Sequence, residues 1–430
     1  MTISSPANRK FVKVLASGLR VICVPHPGPT ATVLVAARAG SNLEKKADSG
    51  LAHFLEHMCF KGTEARSYRD WNVAVEALGG QADAETSNET VAFYAKGPVR
   101  AWRELLALVG ESFARSTFPE GEIGKERGVV TEEINADADR PDIRAPEIAR
   151  ELLFRGHAAG RPILGTKANV RRFGRAALVR FRDSHYVSRN SVVVVSGPVE
   201  AAEVFRVAEA ALAGLPRGRR AELPRAAARQ SRPRVRVTRR QTDQAHLALA
   251  FSAPSLGHRT EPAWALLQTV AGQGMSSRLN LALRAERGLC YYAEADYHPE
   301  SSNGSFTVSV GVAADRVDEA VAAIGGELAR LAKEPLSRAE LAKAKEYYAS
   351  TFTTGLETSE AVALRWADEA LLARAPEAPS AWLARVRAVT AGDLKRAAAK
   401  TFVPSRANLA LVGPSGGESA LAASLVENLR

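Results

Sequence analysis

Two histidines and a glutamate lie close together in the segment Leu51–Thr63. His53 and His57 are four positions apart, and residues at that spacing lie on one face of a helix, about one turn from each other. Their imidazole nitrogens could therefore bind a single metal ion, as in catalytic zinc sites. Glu56 lies beside them, and a carboxylate that does not bind the metal can accept a proton from a metal-activated water. The spacing predicts hydrolytic metal chemistry, provided that a third ligand comes from elsewhere.

The same segment predicts a buried helix, because the faces without His53, Glu56 and His57 carry apolar side chains: Leu51, Phe54, Leu55 and Met58. Buried histidines are often ordinary core residues whose nitrogens are satisfied by hydrogen bonds. That interpretation stays open as long as the third ligand is not identified.

An acid-rich stretch, Pro119–Asp137, is helical by periodicity and carries Glu126, Glu132 and Glu133. Glu126 and Glu133 are seven positions apart and share a face, whereas Glu132 points elsewhere. Only one of these faces can meet the metal.

The motif itself, His-Phe-Leu-Glu-His over residues 53–57, is followed 76 residues later by Glu133. This arrangement resembles the inverted-zincin metallopeptidases of the pitrilysin and insulinase family. The resemblance implies that His53, His57 and Glu133 bind Zn2+, one ion per subunit, and that Glu56 is the general base. It also implies that Glu126 is a supporting acid behind the site; the alternative is an exposed helix charge.

The stretch Gly79–Tyr94 resembles the edge strand of this family, to which a substrate peptide adds as a further β-strand. The resemblance makes Asp83, Ala84, Glu85 and Thr86 the candidate substrate-binding residues. Asp83 stands where the family often has Asn, so a side-chain amide contact to the substrate is not implied there.

In the second half of the chain, Arg284 and Tyr291 follow a glycine-containing loop, residues 272–279, whose spacing matches no phosphate-binding pattern. Taken alone, the two residues would be ordinary surface and core side chains. They resemble the Arg/Tyr pair of the family, which implies that they hold substrate and stabilise the oxyanion of the tetrahedral intermediate.

Strands and helices are interleaved throughout, which predicts an α+β fold. The strand Ser191–Ser196 ends at Gly197-Pro198, and a similar strand, Ala407–Val412, ends at Gly413-Pro414 with an offset of 216. We infer a tandem duplication of two similar αβ domains, each an antiparallel-rich sheet covered by helices. The predicted division is a first domain over 1–215, a linker over 216–240 and a second domain over 241–430. The resemblance adds that such a chain forms half of a clamshell.

The formal net charge of +11 is concentrated in one place. Ten arginines and one glutamate between Arg217 and Arg240 contribute +9, which leaves +2 for the rest of the chain. Together with Pro216, Pro224 and Pro233 this composition predicts an exposed linker. The alternative, a site for nucleic acid or an acidic partner, is the less favoured interpretation.

Hydrophobic residues at 46% and charged residues at 24% are typical of globular proteins. The sequence has neither a long apolar run nor a secretory signal, and Cys23, Cys59 and Cys290 suit a reducing compartment. These features predict a cytoplasmic protein without a membrane partner.

The resemblance implies a zinc endopeptidase that hydrolyses short or unfolded peptides in an enclosed chamber, formed by a homodimer or by a heterodimer with a related chain. Two alternatives stay open. One is a peptidase that processes targeting presequences, and the other is a non-catalytic structural subunit of the same family.

Overall fold

The structure is a computed structural model that describes residues 8–226, 230–414 and 416–430. The strands of the first half are β1 (Phe11–Val14), β2 (Arg20–Pro25), β3 (Thr30–Ala37), β4 (Gln81–Thr86), β5 (Val91–Pro98) and β6 (Ser191–Gly197). Its helices are α1 (Leu51–Cys59), α2 (Tyr68–Ala77), α3 (Trp102–Arg115), α4 (Glu120–Ala138), α5 (Pro141–Leu153), α6 (Lys167–Val170), α7 (Arg175–His185) and α8 (Ala201–Ala211).

The second half repeats this alternation. Its strands are β7 (Arg234–Arg239), β8 (Gln244–Ser252), β9 (Cys290–Pro299), β10 (Gly304–Ala313) and β11 (Asn408–Gly413). Its helices are α9 (Glu261–Gly272), α10 (Val317–Lys333), α11 (Arg338–Thr354), α12 (Ser359–Leu372), α13 (Pro379–Ala388), α14 (Ala391–Thr401) and α15 (Glu418–Asn428).

The first sheet has the strand order β1-β2-β6-β3-β5-β4. Its central strands are apolar on both faces, as strands covered on both sides must be. Along β3, Val33 and Val35 belong to the core beneath α1, α3, α7 and α8, whereas Leu34 and Ala36 face α12. The alternation of side chains along a strand therefore supplies two separate cores.

The second sheet has the order β7-β11-β8-β10-β9, which repeats the order β2-β6-β3-β5-β4 of the first. The pairs β2–β6 and β7–β11 are parallel, and the other neighbouring strands in these two orders are antiparallel. The two strands found by the offset of 216, β6 and β11, occupy equivalent positions and end at Gly197 and Gly413. The predicted α+β fold built from two similar domains is confirmed.

The chain forms two compact units that are not contiguous in sequence. The first contains the residues up to Ile134 together with Pro162–Pro224 and Thr353–Ala381, and the second contains Asn135–Arg161, Arg225–Phe352 and Trp382–Arg430. Helix α5, from the first half of the chain, covers a face of the second sheet, and α12, from the second half, covers a face of the first.

The predicted division over 1–215, 216–240 and 241–430 consists of contiguous ranges. It therefore assigns α5 to the first domain and α12 to the second. Within the segment predicted as a linker, β7 is a regular strand that pairs in parallel with β11. Both differences have one physical reason: the two sheets offer equivalent apolar faces, so local patterns cannot tell which sheet a helix or strand will join.

In the part of the chain that the structure describes, no helix is long and apolar enough to cross a membrane. The three cysteines are free thiols; Cys23 and Cys59 are buried and Cys290 is half-buried. Burial raises the pKa of the Cys59 thiol to about 12, which keeps it protonated as a core side chain.

Candidate metal centre

The start of helix α1 is fixed by a close approach and by a buried carboxylate. Gly50, just before the helix, has a φ of 98°, and a Cβ there would lie 2.6 Å from the carbonyl oxygen of Leu164. Glu44 accepts hydrogen bonds from the backbone N–H groups of Gly50, at 3.0 Å, and Ala52, at 2.7 Å. A glutamate thus supplies acceptors for amides that have no partner inside the helix.

The apolar face of α1 positions its polar face. Phe54, Leu55 and Met58 are fully buried, so the helix cannot rotate without exposing them. His53 and His57 lie on the remaining face, where their side chains are 14% and 17% exposed.

Helix α4 presents its carboxylates to this face. Ile123 and Val130 are buried and fix the helix rotation, with Glu126 buried and Glu133 partly exposed. Glu132 is exposed and does not belong to the group described next. Glu126 and Glu133 therefore lie on the face of α4 that approaches the histidines, and Glu132 lies outside that face.

Three side chains converge at this point. His53 Nε2 and His57 Nε2 are 3.3 Å apart, and Glu133 Oε2 lies 3.8 Å from the first and 3.5 Å from the second. Among the residues that the structure describes, no other set of three His, Cys, Asp or Glu side chains brings its ligand atoms so close together. The arrangement therefore matches the three residues that the motif predicts as ligands.

The protonation of the two histidines tests whether this group suits a metal. His57 Nδ1 lies 2.8 Å from Glu126 Oε1, so in neutral His57 this nitrogen carries the proton and Nε2 keeps its lone pair. Burial and the neighbouring His57 lower the pKa of His53 to about 3, so its ring is neutral at ordinary pH. The neutral His53 ring, His57 with Nε2 free once its extra proton is displaced, and one carboxylate form a ligand set that suits zinc and leaves a position for water.

Glu126 and Lys61 form the layer behind His57. Lys61 Nζ lies 2.8 Å from Glu126 Oε2, while the other carboxylate oxygen accepts from His57. Burial alone would raise the pKa of Glu126, but the hydrogen bonds from His57 and Lys61 outweigh it and lower this pKa. For His57, burial acts to lower the pKa, and the hydrogen bond to Glu126 together with Glu133 and Glu56 raises it. The alternative of Glu126 as an exposed helix charge is wrong, because its side chain is only 4% exposed.

Glu56 lies on α1 beside the two histidines but outside the ligand group. The Thr86 hydroxyl donates to Glu56 Oε2 at 2.6 Å, which orients the carboxylate. Burial raises the pKa of Glu56, and this hydrogen bond opposes the rise. A buried carboxylate with a raised pKa is a suitable general base at neutral pH.

Strand β4 lies at the edge of the first sheet and, within the described residues, pairs only with β5. Asp83 and Glu85 are exposed, whereas Ala84 and Thr86 are half-buried. The Asp83 carboxylate accepts from the backbone N–H of Ala84 at 2.8 Å. An edge with unpaired backbone groups can accept an extended peptide, as the resemblance implies for these four residues.

Arg284 and Tyr291 lie together in the second unit. Arg284 belongs to a π-helical segment, Asn280–Ala285, and its guanidinium carbon lies 5.2 Å from the centre of the Tyr291 ring. Tyr291 is 75% exposed, and both side chains line a cavity of about 530 Å³. The structure thus brings the predicted pair into contact with each other.

Two residues of the centre were not predicted from the sequence. Lys61 lies four positions after His57, a spacing that could have indicated a contact on the same side. Glu44 carries no local signal, because its role depends on a chain reversal before α1. The hydrogen bond from Thr86 to Glu56 was also not predicted, since only substrate contacts were assigned to Thr86.

The sequence model of the insulinase family (peptidase family M16) matches residues 20–167, which contain the whole ligand group. The chain belongs to this family. A second model, described as the peptidase M16 inactive domain, matches residues 172–348 of this insulinase-family chain. The half described by that model contains Arg284 and Tyr291 but not the histidine motif.

Named relatives resemble the chain along most of its length. An uncharacterized zinc protease of Streptomyces coelicolor is 32% identical over 409 residues, covering 93% of this chain and 88% of that protein. The mitochondrial-processing peptidase subunit beta of Blastocladiella emersonii is 30% identical over 416 residues, with coverage of 93% and 88%. The names of several relatives, that of Streptomyces coelicolor among them, indicate zinc as the metal of the family.

Solved structures show the same fold. A protease from Helicobacter pylori superimposes with a TM-score of 0.87 at 24% sequence identity. The match covers 95% of this chain and 100% of that chain. A peptidase M16 inactive domain from Pseudomonas fluorescens has a TM-score of 0.88 at 18% identity, with coverage of 95% and 99%. At these identities the likeness concerns the fold alone.

Proposed function

We propose that this chain is a zinc-dependent endopeptidase that hydrolyses short or unfolded peptides. The observation that carries the proposal is the convergence of His53, His57 and Glu133, with Glu56 oriented beside them. A purely structural pair of buried histidines would not explain why three such ligand atoms lie within 4.8 Å of one another. Two relatives that are named zinc proteases support the same conclusion.

His53, His57 and Glu133 would hold one zinc ion per subunit. When bound, such an ion polarises a carbonyl group and lowers the pKa of a water molecule. Glu56 accepts the proton of the attacking water and later donates it to the leaving amine. Glu126 keeps His57 in the tautomer that exposes Nε2, because it accepts the proton of Nδ1.

The peptide would add to the edge of β4 through its backbone, next to Asp83, Ala84, Glu85 and Thr86. Backbone pairing gives affinity with little sequence preference and requires an extended, unfolded chain. Arg284 and Tyr291 would donate hydrogen bonds to the developing oxyanion. We further propose a cytoplasmic dimer, of two copies or of this chain with a related one, that encloses the peptide in a chamber.

The deciding experiment is Glu56→Gln. The amide cannot accept a proton, but all three metal ligands remain, so zinc content should stay near one per chain while peptide cleavage falls by about a thousandfold or more. Wild-type protein measured with the same mixture of unstructured peptides is the reference. Retention of activity would refute the assigned base, and loss of zinc along with activity would refute the assigned ligand set.

A presequence-processing peptidase is the second candidate, favoured by the similarity to a mitochondrial-processing peptidase subunit. Peptides that differ only in replacing their arginines by glutamine separate the two candidates. Cleavage that requires arginine supports the second, and equal cleavage supports the general peptidase. The non-catalytic alternative predicts no cleavage of either set by zinc-loaded protein.

A further inference from the structure

A group of arginines surrounds a cavity of about 240 Å³ in the first unit, where α12 ends. The cavity is lined by Arg38 at the end of β3, by Arg220 and Glu222 of the arginine-rich segment, and by Arg374 just after α12. These residues take no part in the proposed catalysis. They come together only in the folded protein, because they lie in three distant parts of the chain.

Two of these arginines are held by backbone carbonyl groups. Arg38 Nε donates to the carbonyl oxygen of Leu371 at 2.7 Å, and its Nη1 donates to that of Ala221 at 3.2 Å. Arg220 Nη2 also donates to the carbonyl oxygen of Leu371, at 2.5 Å. Arg20 donates nearby to the carbonyl oxygen of Ala370. These contacts fix the guanidinium groups at the negative end of the α12 dipole.

The positive charge exceeds the negative charge around the cavity. In the described part of the chain, no carboxylate lies within 4.0 Å of a guanidinium nitrogen of Arg20, Arg38, Arg220 or Arg374. The helix end supplies roughly half a negative charge. Burial and the neighbouring Arg220 lower the pKa of Arg38 to about 10, although Glu89 acts in the opposite direction. Of the described residues that line the cavity, Glu222 is the one with an acidic side chain.

Arg374 differs from the others. Its side chain is exposed, and within the described residues no hydrogen bond or ion pair engages it. Its planar fork of donors can therefore bind an anion without first giving up a partner.

We propose that Arg38, Arg220 and Arg374 form a binding site for a small oxyanion of the phosphate class that carries at least two negative charges. Guanidinium groups recognise phosphate oxygens by paired hydrogen bonds, and the two that are already held, those of Arg38 and Arg220, lose little entropy on binding. The cavity volume of about 240 Å³ equals about eight water molecules, enough for such an ion. A nucleic-acid strand would need an extended basic surface, whereas these arginines line one small cavity.

Binding would connect the arginine-rich segment to the end of α12. Arg220 belongs to that segment, and Arg374 follows the helix. An anion held by both side chains would reduce the local opening of residues 217–222 and 371–374. This consequence can be measured by amide hydrogen exchange.

The test is calorimetric titration of the zinc-loaded, full-length protein with inorganic pyrophosphate at constant ionic strength. We expect saturable binding to the wild type, and at least about tenfold weaker binding to Arg374→Gln and Arg220→Gln, since each removes a charge-assisted contact. Arg219→Gln is the matched control. It removes the same charge from the neighbouring position, which does not line the cavity, so its affinity should stay within about twofold of the wild type.

The zinc site is the same in all four proteins, so pyrophosphate bound to zinc cannot produce a difference between them. Equal affinity of the wild type and Arg374→Gln would overturn the proposal, as would the absence of binding to the wild type. An equally large loss in Arg219→Gln would indicate unspecific charge attraction and would also overturn it. Tight binding of a single-stranded oligonucleotide that pyrophosphate does not displace would also overturn the proposal. In the supporting case, pyrophosphate slows exchange at 217–222 and 371–374 in the wild type but not in Arg374→Gln.

Discussion

The Thr86 hydroxyl donates a hydrogen bond to Glu56 Oε2 at 2.6 Å and so joins strand β4 to helix α1. Thr86 is the last residue of the edge strand, and Glu56 lies between the two histidines of the candidate metal centre. The strand proposed to receive the peptide and the carboxylate proposed to act on it are therefore in direct contact. We therefore propose that Thr86 is a positioning residue, which would act through Glu56.

Thr86→Val should lower kcat about tenfold while KM changes less than about twofold. Valine keeps the shape of threonine but has no donor, so Glu56 loses its orientation while the backbone of β4 is unchanged. Thr86→Ser keeps a hydroxyl and should restore most of the rate. Steady-state kinetics on one unstructured peptide, with zinc content measured in parallel, checks this expectation. A valine variant that raises KM alone would instead assign Thr86 to peptide binding.

Lys61→Met should weaken zinc binding about tenfold, because Glu126 loses the cation that fixes its second oxygen and holds His57 less firmly. Competition with a chelator of known affinity measures the change. Lys125→Met is the control, since Lys125 forms an exposed ion pair with Glu122 on the same helix as Glu126. Equal zinc affinities of the two variants would remove Lys61 from the metal centre.

Glu133→Ala should lower the zinc affinity by on the order of 100-fold or more, whereas Glu132→Ala should leave it within about twofold. The two residues are adjacent and equal in charge, but only the Glu133 carboxylate approaches both histidines. The same chelator competition distinguishes them. The reverse result would mean that the other face of α4 meets the metal.

The zinc affinity should fall as the pH falls. Near and below neutral pH, the protein should take up about one proton for each zinc ion that it releases. Zinc needs unprotonated nitrogens, and the pKa of His57 is raised, so protons compete for His57 in this range. The pKa of His53 is lowered to about 3, so His53 adds no second proton there. A plot of log Kd against pH between about 5 and 7 should therefore have a slope near minus one. A slope near minus two would show that both histidines compete.

Tyr291→Phe should lower kcat about 100-fold and leave zinc content unchanged, because only the proposed oxyanion donor is removed. The ring itself remains, so its contact with the Arg284 guanidinium is retained. Kinetics and metal analysis of the same preparation check both parts. An unchanged kcat would exclude the Tyr291 hydroxyl from catalysis.

The sequence by itself determined what depends on local geometry and repetition. The spacing of His53 and His57 on one helix face, and the separation of Glu133 from Glu132, follow from the helical repeat, which is the same in any context. The duplication was visible because both halves keep the strand that ends at Gly197 or Gly413. These features predicted the fold class and placed the two histidines on one helix face, and the family resemblance of the motif then implied Glu133 as the third ligand.

Only the tertiary structure decided which distant segments meet. Helix α5 comes from the first half of the chain but covers the second sheet, and α12 comes from the second half but covers the first. Which of two equivalent apolar sheet faces each helix covers is information that local periodicity does not carry. The contacts of Glu44 with the start of α1, of Thr86 with Glu56, and of Arg38 and Arg220 with the end of α12 join segments separated by turns and strands. A polar side chain finds such a partner only after hydrophobic packing has placed the segments side by side, because packing and not sequence spacing sets the distance between them.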